Sequence, residues 1–134
     1  MSTHLDKLKT KAESVVGNAH APYSGFSVGA AILSKTGKIY TGCNVENISS
    51  GLTVCAERNA IGKAVAEEGS NLEIAEVYVT NRNSEGKTVH CSPCGACRQV
   101  MAEFSKADTV VHYCGTDTLV TTDMNALLPD SFTF

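Results

Sequence analysis

Cys55-Ala56-Glu57 in one segment and Pro93-Cys94-Gly95-Ala96-Cys97 further along supply three thiols and one carboxylate at spacings that suit a metal ion. Zinc takes tetrahedral sulfur or nitrogen ligands, and a catalytic site supplies three of them while keeping the fourth position for water. Cys55, Cys94 and Cys97 are the candidate ligands. Glu57, two residues from a ligand, is placed to move the protons of that water. Three thiolates make an electron-rich shell that weakens the ion as a Lewis acid. Arg58 is therefore assigned hydrogen bonds to the ligand sulfurs, an outer-shell role that tunes the metal.

These residues need elements that point them at one spot. Leu5, Leu8, Ala12, Val15 and Val16 recur at helical spacing and predict an amphipathic helix over residues 2–18. Pro22-Tyr23-Ser24-Gly25 breaks it, and two apolar runs, 27–34 and 38–44, read as a β-hairpin joined by Lys35-Thr36-Gly37. Ala30 and Ala31 are small enough for a helix to pack closely on each face of that first strand. A second helix, capped by Thr53 or a neighbour, runs to about residue 68, where Gly69-Ser70 stops it. Residues 74–80 read as a strand and 81–88 as a polar turn. Pro93 falls in the first turn of a helix reaching about residue 104. Strands follow at 109–113 and 119–122, and a last helical turn at 123–128. The start of each cysteine-bearing helix thus faces the metal, and its partial positive charge favours thiolate over thiol. Alternating strands and helices predict an α/β fold with a mixed central sheet covered on both faces.

At 134 residues, without repeat, linker or low-complexity segment, the chain reads as a single domain over 1–134. A net charge of −3 and the lack of any Lys/Arg run disfavour nucleic acid as a partner, because a polynucleotide site needs a basic groove. The first residues lack the apolar stretch of a signal peptide, and no segment is long enough to span a membrane. A cytoplasmic, reduced chain is the expectation, in which six cysteines partly clustered at C-x-x-C spacing are metal ligands rather than disulfides. Cys91 is either a plain thiol or an alternative fourth ligand that would close the shell into a structural site; the latter reading leaves Glu57 and Arg58 without a purpose. His90 beside a strand reads as a non-ligand, and Cys43 and Cys114 as small core residues.

Taken together, Pro22-Tyr23-Ser24-Gly25-Phe26-Ser27-Val28-Gly29-Ala30-Ala31, Gly42-Cys43-Asn44-Val45-Glu46-Asn47, Gly51-Leu52-Thr53-Val54-Cys55-Ala56-Glu57-Arg58 and Ser92-Pro93-Cys94-Gly95-Ala96-Cys97-Arg98-Gln99 closely resemble the small homotetrameric zinc-dependent cytidine deaminases. Leu127-Leu128-Pro129-Asp130-Ser131-Phe132 is similar to the same family's C-terminus. An open zinc site with a non-ligating Glu is the general signature of zinc nucleobase deaminases. The resemblance implies a three-layer α/β/α sandwich with a central mixed five-stranded sheet and one Zn2+ per subunit. It further implies hydrolysis of cytidine and deoxycytidine to uridine and deoxyuridine with release of ammonia, in pyrimidine salvage. By the same resemblance Phe26 stacks on the pyrimidine, Asn44 and Glu46 bind the ribose hydroxyls, and the Ala56 N–H meets the base carbonyl. Phe132 reaches into a neighbouring subunit's site, which makes the expected partner a second copy of the chain in a homotetramer.

Two positions depart from that pattern. Ser50 stands where the family commonly has Tyr before Gly51, and Asn59 where it commonly has Thr. Loss of the aromatic wall at Ser50 bears on substrate range and opens a second reading, a deaminase of a modified cytidine or of a cytosine-containing antibiotic of the blasticidin S type. A non-enzymatic structural-zinc or RNA-binding module is the third, and the negative charge and open ligand set oppose it.

Overall fold

The computed structural model describes residues 4–133. Its elements run α1 (Leu5–Val16), β1 (Ser27–Ser34), β2 (Ile39–Cys43), α2 (Ala56–Glu68), β3 (Ile74–Arg82), α3 (Gly95–Glu103), β4 (Val110–Cys114), β5 (Leu119–Asp123) and α4 (Met124–Leu127). The five strands form one sheet in the order β2-β1-β3-β4-β5, with β3 and β4 parallel and the other neighbours antiparallel. It is the mixed five-stranded sheet of an α/β/α sandwich.

Alternation along β1 sorts the core into two layers. Ala30 and Ile32 face a cluster with Ala56, Ala60, Ile61, Met101 and Val111, whereas Ala31 and Leu33 meet Leu8, Ala12 and Tyr78 under α1. Two glycines set how closely the helices approach. A Cβ at Gly29 would lie 2.3 Å from the Ala12 carbonyl oxygen, and one at Gly42 would lie 2.5 Å from both the Ala56 oxygen and the Ala60 nitrogen. The backbone of α2 therefore rests directly on β2.

Differences from the expected boundaries have local causes. α1 is shorter than 2–18 within the described residues, and Ser2 and Thr3 lie outside them. β3 runs past residue 80 to Arg82 because Asn81 and Arg82 pair with Val28 and Ser27 of β1. The polar turn starts only at Asn83, whose Oδ1 accepts from the Glu85 and Lys87 amides. Thr53 does not cap α2: Val54 is tied to Val45 by a pair of backbone bonds, and the extended Cys55 becomes the N-cap. Pro93 likewise precedes α3, whose N-cap is Cys94. Cys43 and Cys114 are half-buried rather than core residues, since both end their strands.

The topology decides where the helices begin. β2 and β3 are each antiparallel to β1, so they run the same way, and α2 and α3 follow them. Both helix N-termini emerge at one end of the sheet.

Candidate metal and catalytic site

The two N-termini bring Cys55, Cys94 and Cys97 together, with their sulfurs all within 4.8 Å of one another. Cys55 and Cys94 each occupy an N-cap, in extended conformation, and their Sγ atoms are 3.9 Å apart. Cys94 Sγ also accepts the Cys97 N–H (3.4 Å), the bond a capping oxygen would otherwise make. Cys97 is fully buried while Cys94 is exposed, so the cluster has a closed side and an open side.

This donor set fits zinc. A tetrahedral ion with Zn–S bonds of about 2.3 Å needs sulfurs about 3.8 Å apart, close to the Cys55–Cys94 separation. The electrostatics point the same way. The neighbouring Cys97 thiol, followed by the Arg58 guanidinium, draws the Cys55 thiol down to about 5, while Cys55 and burial push Cys97 far up. Sulfurs this close cannot all carry charge without a cation among them, and a divalent ion removes the conflict. Arg58 Nη2 donates to Cys55 Sγ (3.9 Å) and the Thr53 carbonyl (3.3 Å), and its buried Nε has no hydrogen-bond partner. A buried, unspent donor beside thiols is what an electron-rich ligand shell calls for.

Glu57 lies on the first turn of α2 and is 4% exposed. Burial raises its carboxyl to about 6. That is a suitable value for a group that must take and return a proton near neutrality. Beside it is a cavity of about 200 Å³, lined among others by Phe26, Asn44, Cys55, Ala56, Glu57, Cys91 and Cys94. The space suits one small ring, being below the roughly 300–1,000 Å³ of common ligand clefts. Ala56, first residue of α2, has its N–H ahead of any intrahelical acceptor. A larger cleft of about 690 Å³ lies along Gln99, Glu103 and Phe132, but the metal-capable cluster found among the described residues is not there.

Other expected residues are placed less simply. Phe26 and the buried Asn44 both line the cavity, and the Asn44 amide is partly engaged on backbone: Oδ1 accepts from Val28 N–H (2.8 Å) and Nδ2 donates to the Phe26 carbonyl (2.9 Å). Glu46 accepts from the Tyr23 and Ser24 amides and the Ser24 hydroxyl. Phe132, 72% exposed, lies in the cleft beside α3 and away from the cavity of its own chain. Cys91 lines the cavity but falls outside the three-sulfur cluster, and its thiol is raised by burial. His90 packs near Tyr113, their ring centroids 6.4 Å apart. Asn59 Nδ2 donates to the Cys43 carbonyl (2.8 Å), tying the first turn of α2 to the end of β2.

Sequence reasoning missed Arg98. Its Nε donates to the Pro93 carbonyl (2.7 Å), Nη1 to the Leu127 carbonyl (2.9 Å) and Nη2 to Ser92 Oγ (3.2 Å), so it holds the cysteine loop against the end of α4. Its place directly after Cys97, within the segment that resembles the family, was the available signal.

Fold and site together define a hydrolytic zinc deaminase of the α/β/α class. The model described as "Cytidine and deoxycytidylate deaminase zinc-binding region" matches residues 2–114, and the chain belongs to that family. It is 47% identical over 118 residues to the cytidine deaminase of Halalkalibacterium halodurans, covering 86% of this chain and 83% of that one. The probable cytidine deaminase of Dictyostelium discoideum is 45% identical over 106 residues, covering 79% and 69%. The crystal structure of cytidine deaminase from Burkholderia pseudomallei superposes with a TM-score of 0.82 at 40% identity, over 98% of this chain and 100% of that one. Among the described residues, no helix is long and apolar enough to cross a membrane.

Proposed function

We propose that this protein hydrolyses cytidine and deoxycytidine to uridine and deoxyuridine, releasing ammonia, as a step of pyrimidine salvage. The observation that carries the reading is the buried Glu57 carboxyl beside a three-thiol cluster in a one-ring cavity. Relatives named as cytidine deaminases, 37–47% identical over most of the chain, support it.

Cys55, Cys94 and Cys97 hold the zinc, and Arg58 offsets the charge of their sulfurs. When bound, the ion supplies Lewis acidity that lets a water lose its proton near pH 7, against a pKa of about 16 in bulk. Glu57 accepts that proton on its carboxylate and delivers it to N3 of the base, which makes C4 electrophilic. After oxygen adds at C4, Glu57 carries the second proton to the amino group, which leaves as ammonia. The low exposure of Glu57 keeps bulk water from diverting either proton. Phe26 stacks on the pyrimidine and the Ala56 N–H holds its 2-carbonyl. Asn44 and Glu46 meet the ribose with whatever hydrogen-bonding capacity their backbone contacts leave. One amide hydrogen and one lone pair of Asn44 remain for this. Phe132 of a neighbouring copy completes the site in a cytoplasmic homotetramer of single-domain (1–134) subunits. Its 72% exposure supports that role, and light scattering reporting a monomer would overturn it.

The test is ammonia release from cytidine, deoxycytidine, cytosine, CMP and blasticidin S by wild type and Glu57→Ala, with zinc analysed in both. We expect turnover of the two nucleosides by wild type, and a loss of about 10⁴-fold in the variant at unchanged zinc content. Retained activity in Glu57→Ala would remove Glu57 from the mechanism. Turnover of blasticidin S without cytidine would replace the substrate.

A further inference from the structure

The segment that carries Phe26 is held by side chains at both backbone groups of that residue. The Phe26 carbonyl accepts from Asn44 Nδ2 (2.9 Å), and the Phe26 N–H donates to the hydroxyl oxygen of Ser24 (3.0 Å). The Ser24 hydroxyl proton goes in turn to Glu46 Oε2 (2.5 Å), and Glu46 Oε1 accepts the Tyr23 and Ser24 amides at 3.0 and 3.2 Å. One hydroxyl therefore donates to a carboxylate and accepts from the amide of the ring-bearing residue. Gly25, between them, has φ +70°, a left-handed conformation that gives the turn its shape at little steric cost. The chain of contacts Glu46–Ser24–Phe26 links the residue assigned to the sugar with the ring assigned to the base.

We propose that Ser24 is a positioning residue: it orients the Phe26 ring over the cavity and couples that orientation to the Glu46 carboxylate. The inference rests on the roles given to Phe26 and Glu46 above. Ser24 itself is exposed and lies outside the lining of the cavity, so it acts through Phe26 rather than by touching the base. Hydrogen bonds to a charged group are the stronger kind, and their geometry is strict. Without the hydroxyl, Glu46 Oε2 loses a donor and the Phe26 amide loses its acceptor. The ring is then free to leave its stacking geometry.

The experiment compares Ser24→Ala and Ser24→Thr in the zinc-loaded protein. Ser24→Ala should raise KM for cytidine about tenfold with kcat changed less than about threefold, at unchanged zinc content and melting temperature. Ser24→Thr, which keeps the hydroxyl, should restore KM. In a Phe26→Leu background the Ser24→Ala effect should shrink to less than about twofold, since the ring it positions is gone. A wild-type KM in Ser24→Ala, or an undiminished effect in the Phe26→Leu background, overturns the proposal. Amide hydrogen exchange at Phe26 needs no substrate: protection should fall in Ser24→Ala and return in Ser24→Thr. Unchanged protection rejects the positioning role even if cytidine proves not to be the substrate, and that second failure would appear separately as an inactive wild type.

Discussion

Two buried polar clusters, one on each face of the sheet, are satisfied in opposite ways. Under α2 and α3, three sulfurs crowd within 4.8 Å of one another, Arg58 Nε is buried without a partner, and Glu57 is raised by desolvation. On the α1 face, buried His112 lies between Glu76, 2.5 Å from its Nε2, and Thr121 Oγ1, 2.8 Å from its Nδ1. These side chains of β3, β4 and β5 complete one another within the chain, and Tyr78 packs on the imidazole at a centroid distance of 5.8 Å. A buried polar group normally has its partner in the fold. Where the partners are missing, the fold has kept capacity for something that binds, and that contrast, more than burial itself, separates a site from a structural network.

Three experiments press on this contrast. The largest effect is expected at the cluster: Cys94→Ala should lose zinc and nearly all turnover together, since two thiols bind a catalytic ion poorly. Stoichiometric zinc in that variant, by atomic absorption, would remove Cys94 from the ligands. Next is the closed network. Glu76→Ala leaves His112 short of a buried partner and should cost about 1–3 kcal/mol in urea unfolding, while zinc content and kcat/KM stay within about threefold of wild type. A collapse of kcat/KM in folded Glu76→Ala would mean that the two faces are not independent. An effect of similar size, confined to one end of the pH range, belongs to the Glu57 carboxyl in metal-free protein. Its folded value, about 6, lies above the ordinary 4.5, so the protonated form suits the fold. That contribution is complete below about pH 4.5 and lost as the pH rises through 6. Glu57→Gln, which stays neutral, should therefore exceed wild type in stability by about 2 kcal/mol at pH 7 and match it near pH 4. Equal stability at both pH values would show that burial does not strain Glu57.

Much of this site was legible early because its chemistry sits in short segments. Cys94 and Cys97 are one helical turn apart and Glu57 is two residues from Cys55, so the candidate ligands and the candidate proton carrier could be named from spacing. The strands and helices also fell near their expected places, because periodicity and Gly or Pro stops are local signals. Long-range partners were less accessible. Asn44 and Glu46, assigned to the sugar by resemblance, also hold the Tyr23–Val28 backbone, and nothing local announces a bond across 16 or more residues. The same holds for Arg98 reaching Leu127, and for the half-buried Cys43 and Cys114, whose exposure depends on where their strands end in the sheet.

What the sequence determined alone was the inventory: three thiols, one carboxylate, one guanidinium, and a helix close after each cysteine segment begins. Ligand chemistry depends on residue type and short spacing, so no fold is needed to read it, whereas the exact start of α2 was moved by the Val45–Val54 pairing. What only the tertiary structure decided was convergence. Two strands both antiparallel to β1 send α2 and α3 out of the same end of the sheet. Gly42 lets α2 rest on β2, and sulfurs about 40 residues apart in the chain come within 4 Å. Strand order and backbone approach are collective outcomes of packing, and it is they that turn a set of reactive residues into one site.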